Sequence, residues 1–233
     1  MSEPVIKVCG LTRREDAALA AELGAWAVGF VLAPSPRRVT AEQARGLAAS
    51  ARMAARSRIS GRPPLAVGVF VNATAGEIAV AVATAGLDAV QLHSPLPGAA
   101  AVRAALGDRA AEVLMIQAVP VSADGIVEAG LRATAMAAGA GADLLLFDTR
   151  SDRRFGGTGT PFPWGLAREA AQGSRFLVAG GLGPQNVAQA LAVSGAFGAD
   201  VSSGVETSPG VKDPDALRAL FAALEEPLEG RGS

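Results

Sequence analysis

Short apolar runs alternate with longer helical stretches along almost the whole of this 233-residue sequence. Within each run the apolar residues are continuous, which is typical of strands buried on both faces of a parallel sheet. The candidate strands are residues 5–9, 26–32, 65–71, 88–92, 112–118, 143–147, 176–179 and 199–201. Eight strands leave roughly 29 residues per strand–helix unit, which is the size of a compact (β/α)8 barrel. We therefore predict an α/β TIM barrel that forms a single domain over 1–233, with a mobile tail at 226–233.

The helical stretches between these strands have recognisable beginnings. Among others, the sequence predicts helices at 13–23, 41–53, 75–85 and 184–193. Ser, Thr and Asp act as N-caps because their side-chain oxygens accept hydrogen bonds from the first backbone N–H groups, and proline suits the first helical turn. The residues placed for these roles are Thr12, Thr40, Thr74, Asp213, Pro184 and Pro214. An Arg-rich segment at 50–64 is predicted to be a solvated loop on the face away from the chemistry.

A weak repeat, in which a glycine precedes an apolar run, supports the barrel. Gly24, Gly86, Gly141 and Gly198 precede the second, fourth, sixth and eighth strands. We expect each to adopt a left-handed conformation that ends a helix. Ordinary helix-to-strand turns also favour glycine, so the repeat does not decide the fold alone. An open, doubly wound sheet of six strands is the rival, and eight units without a dinucleotide-binding fingerprint disfavour it.

The composition excludes several classes of protein. Half of the residues are apolar and 18% are charged, which excludes a disordered chain. The net charge of −1 argues against nucleic-acid or membrane-surface binding as the main task. A single cysteine suits a reducing compartment, and we see neither a secretion signal nor a long apolar span. We therefore predict a cytoplasmic protein whose partners include neither a nucleic acid nor a membrane.

Polar residues directly after the strands are the candidates for chemistry, because parallel barrels hold their active sites at the carboxyl ends of the strands. Cys9 ends the first apolar run, and Asp148 follows the sixth. A position at a strand end near a helix start can lower the pKa of a cysteine and make it a thiolate base. A buried cysteine is also a small hydrophobic residue, and an isolated aspartate also suits a turn or a cap. Together, Cys9 and Asp148 form a candidate base and acid.

Three turns of small residues follow the last strands, at 156–159, 180–183 and 202–204. Small residues let backbone N–H groups approach an anion closely, and the loops after strands seven and eight of barrels commonly hold a phosphate. Ordinary turn chemistry explains any one of these turns alone. Their clustering predicts a phosphate site that is not a Walker loop, because no Gly-Lys-Ser/Thr follows.

Further polar residues lie on the same predicted rim. Arg37 and Arg38 follow the second strand, and one of them is a candidate for binding a second anionic group, although a solvated pair fits equally well. His93 is the sole histidine, so with one cysteine the chain cannot build a zinc site, and we predict no metal. The pocket candidates are Asn72, Gln91, His93 and Asp200.

The order and spacing of these motifs closely resemble the phosphoribosylanthranilate isomerase family, (β/α)8 enzymes of tryptophan biosynthesis. The matching pieces are KVCGLT at 7–12, VGFV at 28–31, PSPRRV at 34–39, VGVFVN at 67–72, DAVQLH at 88–93, FDTR at 147–150, GGTG at 156–159, AGGL at 179–182 and DVSSGVETSPGVKD at 200–213. Each piece alone is modest support. Their order and spacing together are highly specific.

The resemblance implies the Amadori rearrangement of N-(5-phosphoribosyl)anthranilate, with Cys9 as base, Asp148 as acid and Arg38 binding the anthranilate carboxylate. The residues that match the family's phosphate-holding loops are Gly157, Gly159, Gly180, Gly181, Ser202 and Ser203. It implies a small-molecule phosphoribosyl substrate without a cofactor or metal, and we expect a monomer or homodimer. The sequence departs from the family pattern at Ser94, Thr160 and Pro163.

Other functions remain as alternatives. A histidine-pathway aminoaldose isomerase runs similar chemistry on two carboxylates, and Cys9 argues against it. A ribulose-phosphate epimerase needs metal-binding histidines, which this chain lacks. A non-catalytic barrel that only senses an anion is expected to have lost one acid–base partner, and both Cys9 and Asp148 are present.

Overall fold

Eight parallel strands close into a barrel in a computed structural model of the chain, which describes residues 4–56, 62–93, 97–121, 141–149, 164–171 and 173–225. The strands are β1 (Val5–Val8), β2 (Ala27–Val31), β3 (Leu65–Phe70), β4 (Ala89–Leu92), β5 (Leu114–Val121), β6 (Leu144–Thr149), β7 (Phe176–Ala179) and β8 (Gly198–Val201). Each strand pairs with the next along the chain, and β8 pairs with β1. The predicted (β/α)8 fold is confirmed.

In the described ranges a helix follows every strand of the barrel except β5, and the helices form the outer layer. The α-helices in the described ranges are α1 (Arg14–Leu23), α2 (Ala41–Ala55), α3 (Ala75–Ala85), α4 (Ala99–Leu106), α5 (Trp164–Ala171), α6 (Val187–Ser194) and α7 (Pro214–Glu225). A short antiparallel hairpin of β9 (Glu206–Ser208) and β10 (Val211–Lys212) lies between β8 and α7. No helix in these ranges has the length and apolar character required to cross a membrane.

Two buried apolar layers result from the alternation of side chains along each strand. The inner layer is formed by Ala27, Val67, Ala89, Ile116, Ala118, Leu144, Leu146, Leu177 and Ala179. The other strand positions, such as Phe30 and Phe147, pack outward with helix residues such as Leu47 and Ile78. Phe147 has no exposed surface, and burial of a side chain of this size contributes roughly 1.5–3 kcal/mol. Because both faces are covered, the strands read as continuous apolar runs.

Several predicted helix beginnings are confirmed. Thr40 and Thr74 each form a capping box. The threonine side chain accepts a hydrogen bond from the backbone N–H three residues later, and the side chain of that later residue accepts one from the threonine backbone N–H. Asp213 accepts hydrogen bonds from the backbone N–H groups of Asp215 and Ala216. Pro214 is the first residue of α7, where its missing N–H leaves no bond unmade.

Two predicted helix beginnings, at Thr12 and Pro184, are wrong. Thr12 does not cap α1: its Oγ1 donates to the carbonyl of Gly210 at 2.6 Å, and Arg13 precedes the helix without a side-chain cap. Pro184 lies three residues before α6, which begins at Val187. Asn186 instead accepts a hydrogen bond from the backbone N–H of Gly183 at 2.9 Å and fixes the preceding loop.

The glycine repeat is confirmed at two positions, confirmed in its backbone conformation alone at a third and wrong at the fourth. Gly24 and Gly86 end α1 and α3 with φ values of 104° and 63°. Gly141 has a φ of 81°, and the residues before it lie outside the described ranges. Gly198 is instead the first residue of β8, and Gly195 takes the left-handed position that ends α6. Gly198 is required for another reason: a Cβ there would lie 2.2 Å from the carbonyl oxygen of Val5 on the neighbouring strand.

Some element boundaries also differ from the prediction. The fifth strand spans Leu114–Val121 rather than 112–118, and the 3-10 turn Gly107–Ala111 precedes it. The Arg-rich segment predicted as a loop begins as helix, since α2 continues to Ala55. Residues 57–61 of that segment and the predicted tail at 226–233 lie outside the described residues.

A substitution at Gly198 tests the closure of the barrel. We expect Gly198→Ala to lower the free energy of unfolding by about 3 kcal/mol or more, because overpacking against backbone leaves β1 and β8 no room to approach. The measurement is the urea midpoint and slope. Gly76→Ala is the matched control, because a Cβ at Gly76 has nothing within 4 Å. Equal stability of the two variants would contradict the close packing of β8 on β1.

Candidate active site

The inner faces of the strands place polar side chains at the carboxyl rim of the barrel. On β1 the outward residues are Ile6 and Val8, so Lys7 and Cys9 point inward. On β6 Leu144 and Leu146 belong to the inner layer, and Asp148 continues the same face at the end of the strand. The predicted base and acid therefore share one face and one end of the barrel.

Gln91 on β4 and Asp200 on β8 occupy inner positions by the same alternation, because their strand neighbours pack outward. Gln91 is almost fully buried, and its Nε2 lies 2.7 Å from Nε2 of His93. Its Oε1 has no hydrogen-bond partner among the residues that the structure describes. Asn72 lies beyond the end of β3 with a φ of 55°, a conformation that asparagine tolerates better than most residues. The structure therefore brings Gln91 and His93 together on the inner face.

A buried ion pair lies directly beneath Cys9. Lys7 and Asp200 are neighbours in the register of β1 and β8, and Nζ of Lys7 lies 2.8 Å from Oδ2 of Asp200. The Lys7 side chain is fully buried and that of Asp200 is 7% exposed. Burial alone lowers the pKa of Lys7, but Asp200 and Cys9 more than offset this and hold it above its ordinary value. Lys7 is therefore a charged group inside the barrel.

The Cys9 thiol lies in the same buried cluster and has a raised pKa. Burial is the largest cause, Lys7 opposes the rise and Asp200 adds to it. The expectation of a lowered pKa at this strand end is therefore wrong in this environment, because loss of water outweighs the nearby positive charges. Cys9 is 8% exposed, so its burial favours the neutral thiol over the thiolate.

Lys212 supports the backbone that carries Cys9. Its fully buried Nζ donates to the carbonyl of Cys9 at 2.6 Å, to the carbonyl of Ser202 at 3.0 Å and to Oε1 of Glu206 at 2.8 Å. The Ser202 hydroxyl also donates to the Cys9 carbonyl, at 3.2 Å. The backbone N–H of Lys212 donates in turn to the buried carboxylate of Asp16. The hairpin of β9 and β10 thus holds together the ends of β1 and β8.

The two arginines after β2 have different environments. Arg37 binds Glu206 in a bidentate manner, with Nε at 2.9 Å from Oε1 and Nη2 at 2.6 Å from Oε2. Arg38 is exposed, and within the described residues its guanidinium has no hydrogen-bond or ion-pair partner. Arg37 is thus committed to the protein, whereas Arg38 is available to an anionic ligand.

The small-residue loops after β7 and β8 are in close contact. A Cβ on Gly204 would lie 2.0 Å from the carbonyl oxygen of Leu182, so only glycine fits there. Gly180 and Gly181 have φ values of 93° and 64°, which turn the backbone sharply after β7. Ser202 is half-buried and Ser203 is exposed at the start of a 3-10 turn. The structure therefore brings the four described members of the predicted phosphate site onto two adjoining loops.

Part of the predicted site falls outside the described residues. The predictions concerned are those at Gly157, Gly159, Ser94, Thr160 and Pro163. Within the described ranges, no group of three His, Cys, Asp or Glu side chains is arranged to hold a metal ion.

Sequence reasoning missed Lys7, Lys212 and Glu206. Both lysines lie within matched motifs. A charged residue beside an apolar run is nevertheless interpreted as solvent-exposed when its partner is not known. A signal was nevertheless present for Lys7, because it interrupts a strand that is otherwise apolar and buried on both faces. A buried lysine requires a partner, which this sequence supplies 193 residues away.

A parallel barrel with a cysteine, an aspartate, an available arginine and two adjoining glycine-rich loops at its carboxyl rim belongs to the class of barrel enzymes that act on small anionic molecules. The sequence profile of N-(5'phosphoribosyl)anthranilate (PRA) isomerase matches residues 6–223. The N-(5'-phosphoribosyl)anthranilate isomerase of Roseiflexus castenholzii is 41% identical over 219 residues, which cover 94% of this chain and 97% of the relative.

Solved structures agree with the sequence relatives. A structure of monomers of the dimeric phosphoribosylanthranilate isomerase from Thermotoga maritima matches with a TM-score of 0.75 and 32% identity, covering 95% of this chain and 98% of that one. A phosphoribosylanthranilate isomerase in complex with reduced 1-(o-carboxyphenylamino)-1-deoxyribulose 5-phosphate matches at a TM-score of 0.70 and 31% identity, with the same coverage. The chain belongs to the phosphoribosylanthranilate isomerase family of tryptophan biosynthesis. The predicted family and enzyme class are confirmed.

The Glu206 network gives a pH-dependent contribution to stability. Burial raises the pKa of Glu206, but hydrogen bonds from Arg37 and Lys212 outweigh this and leave the pKa below its ordinary value. The carboxylate therefore stabilises the fold above the pKa of an unfolded glutamate. This contribution disappears as the pH falls through the lower pKa of the folded state.

We expect Glu206→Gln to lower the free energy of unfolding at about pH 7 by about 3 kcal/mol, because two cations lose their carboxylate. The difference from wild type should shrink as the pH falls through the lowered pKa of folded Glu206, because the wild-type carboxyl group then becomes protonated as well. Urea unfolding over a series of pH values from neutral downwards measures it. Glu112→Gln, at an exposed ion pair, is the control and should change stability by less than about 0.5 kcal/mol. A difference that stays constant with pH would contradict the assigned network.

Proposed function

We propose that this chain converts N-(5-phosphoribosyl)anthranilate to 1-(2-carboxyphenylamino)-1-deoxyribulose 5-phosphate, with Cys9 as the base and Asp148 as the acid. The observation that carries the proposal is that both residues lie on the inner face at the carboxyl rim of the barrel, in a member of this isomerase family. The relative bound to the reduced product analogue has 31% identity to this chain, which supports the same substrate class here.

Ring opening is the first proposed step. Asp148 in its acid form donates a proton to the ribose ring oxygen, and the bond from that oxygen to C1 breaks. The lone pair of the anthranilate nitrogen forms a double bond to C1, which gives a protonated Schiff base. Asp148 lies in the seam between Pro120 and Ala179 of the neighbouring strands, and it is partly shielded from water, as an acid requires.

Proton abstraction is the second proposed step. The Cys9 thiolate takes the proton from C2, and the electrons of that C–H bond neutralise the Schiff base and form an enolamine. The enolamine then becomes the ketone, since C1 gains a proton and the hydroxyl at C2 loses one. The substrate and product are isomers, and each step moves only protons and electron pairs already present. The proposal therefore invokes no cofactor or metal.

Substrate binding is assigned to residues around this pair. Arg38 is proposed to bind the anthranilate carboxylate, because its guanidinium is exposed while Arg37 is held by Glu206. The phosphate is assigned to the adjoining loops through the backbone of Gly180 and Gly181 and through the Ser202–Ser203 segment, together with Gly157 and Gly159. The proposed pocket-lining residues are Asn72, Gln91, His93 and Asp200.

The cellular setting stays a prediction. We propose a cytoplasmic enzyme with a small-molecule substrate, which acts as a monomer or homodimer. The Thermotoga maritima relative is dimeric, which makes the homodimer the first state to test. A single domain over 1–233 is retained as a proposal and agrees with elements of one barrel running from Val5 to Glu225.

The acid–base assignment predicts that Cys9→Ala and Asp148→Asn each lower kcat by on the order of 10²–10⁴-fold, because loss of a positioned acid or base costs this much. The loss of phosphoribosylanthranilate fluorescence measures the rate. Asp108→Asn, which changes an exposed carboxyl group in the 3-10 turn after α4, is the control and should leave the rate unchanged. Full activity in Cys9→Ala would show that another group is the base.

The same assay separates the alternative functions. A folded wild type that binds the substrate without converting it would favour the anion-sensing barrel. Preferential conversion of the histidine-pathway aminoaldose would favour the alternative isomerase.

The carboxylate assignment predicts that Arg38→Met raises KM by roughly 10–100-fold, because a charge-assisted hydrogen bond contributes about 1.5–3 kcal/mol. Steady-state kinetics at a fixed ionic strength measure the change. Arg45→Met removes the same charge from an exposed position on α2 and is the control, with an unchanged KM expected. Equal effects of the two variants would assign the result to net charge rather than to carboxylate binding.

A further inference from the structure

Lys7 is a fully charged group that the proposed chemistry does not use. Its side chain is completely buried inside the barrel, and its ammonium group pairs with Asp200 at 2.8 Å. Oδ1 of Asp200 has no hydrogen-bond partner in the described part of the chain. A buried ion pair of this kind often contributes little net stability, because both charges lose their water. What this charge does beyond holding β1 to β8 therefore depends on the groups that border it.

The ammonium group of Lys7 lies beside the sulfur of Cys9. A Cβ built on Gly29 of β2 would lie 2.8 Å from Sγ of Cys9 and 3.1 Å from Nζ of Lys7. The two atoms thus border the same small space, which stays open because residue 29 is glycine. A charge that borders a buried sulfur atom interacts with it far more strongly than it would in water.

Charged groups from several elements surround the thiol. Lys7 comes from the same strand, Asp200 from β8, Lys212 from β10 and Arg37 from the loop after β2. Glu206 binds both Lys212 and Arg37, which partly neutralises them. Asp148 shares the rim with Cys9. Among these groups, Lys7 exerts the largest electrostatic effect that favours ionised Cys9, and Asp200 opposes it.

We propose that Lys7 is the buried counter-charge of the Cys9 thiolate, and that Asp200 limits how much of this positive charge reaches the sulfur. The inference rests on the proposed role of Cys9 as a base. Ionisation releases the thiol proton to solvent and leaves the thiolate next to the ammonium group. Lys7 is a positioning residue in this scheme, since it acts through Cys9 and does not touch the substrate.

The proposal predicts opposite effects from the two halves of one ion pair. Lys7→Met removes the positive charge and leaves the negative charge of Asp200, so the pKa of Cys9 should rise. Asp200→Asn removes the negative charge and leaves Lys7 facing the sulfur alone, so the pKa of Cys9 should fall. A purely structural salt bridge would make both variants less stable and would give no reason for opposite shifts.

The composition of the chain makes the titration of Cys9 directly measurable. Cys9 is the sole cysteine, and the sequence has no tyrosine whose ionisation would absorb in the same ultraviolet region. The absorbance of the thiolate against pH, with Cys9→Ala as the baseline, therefore reports on this residue alone. The variants are Lys7→Met, Asp200→Asn and the double variant. The double variant removes both charges and so leaves no uncompensated charge in the barrel. It replaces a single variant that does not fold.

The expected result is a lower thiolate fraction at neutral pH in Lys7→Met, by on the order of tenfold or more, and a higher fraction in Asp200→Asn. The double variant should titrate between them. Arg52→Met breaks the ion pair with Asp88, whose carboxylate binds the start of β3 at the other end of the barrel, and should leave the titration unchanged. Shifts of the same sign in the two single variants would overturn the proposal.

The pH profile of kcat/KM then separates this inference from the proposed function. If Cys9 is the base, the rising limb of the profile should move with the thiolate titration in each variant. If the Cys9 titration shifts in opposite directions in the two variants but the rising limb of the kcat/KM profile does not move, Lys7 is the counter-charge and Cys9 is not the base. If the rising limb moves but the thiolate absorbance does not change, Lys7 does not have the proposed role.

Discussion

The closure of the barrel between β8 and β1 is the contact on which the candidate site depends. It joins residues from the two ends of the sequence, with Val5 against Gly198 and Lys7 against Asp200. The backbone N–H of Cys9 donates to the carbonyl of Val201 at 2.8 Å in the same seam. The proposed base therefore reaches its environment only when the last strand has paired with the first. Close approach at Gly198 makes this possible, because any side chain there would meet the backbone of β1.

Two buried lysines surround this seam and have different tasks. Lys212 satisfies carbonyl groups at the ends of β1 and β8, so it fixes the backbone of Cys9 relative to the Ser202 loop. Lys7 faces the thiol and is balanced by Asp200. They are the only lysines in the chain, whereas the other basic residues are arginines. A compact ammonium group suits such narrow interior spaces better than a planar guanidinium group, which requires a wider set of acceptors.

The sequence was sufficient to predict the eight strands, because strands covered on both faces carry continuous apolar runs that local reading detects. It also predicted that Cys9 and Asp148 share the carboxyl rim of the barrel, because the ends of parallel strands converge. Their roles stay a proposal. The sequence did not predict the partners of Lys7, Lys212 and Glu206, since the Lys7–Asp200 contact, for example, spans 193 positions of the sequence. Thr12 and Gly198 failed for a related reason: each residue suits its predicted local role, but a contact with another element determines its conformation.

The raised pKa of Cys9 is compatible with its proposed role as a base. A thiolate that has lost its water is a stronger proton acceptor than a hydrated one, but it is present in a smaller fraction of molecules. In the proposed scheme, burial supplies the basicity and the ammonium group of Lys7 favours the ionised form. Asp200 opposes Lys7 in that scheme, so that the thiolate is not stabilised beyond the point at which it takes a proton from carbon. The proposal thus makes the three groups a compromise between the strength and the availability of the base.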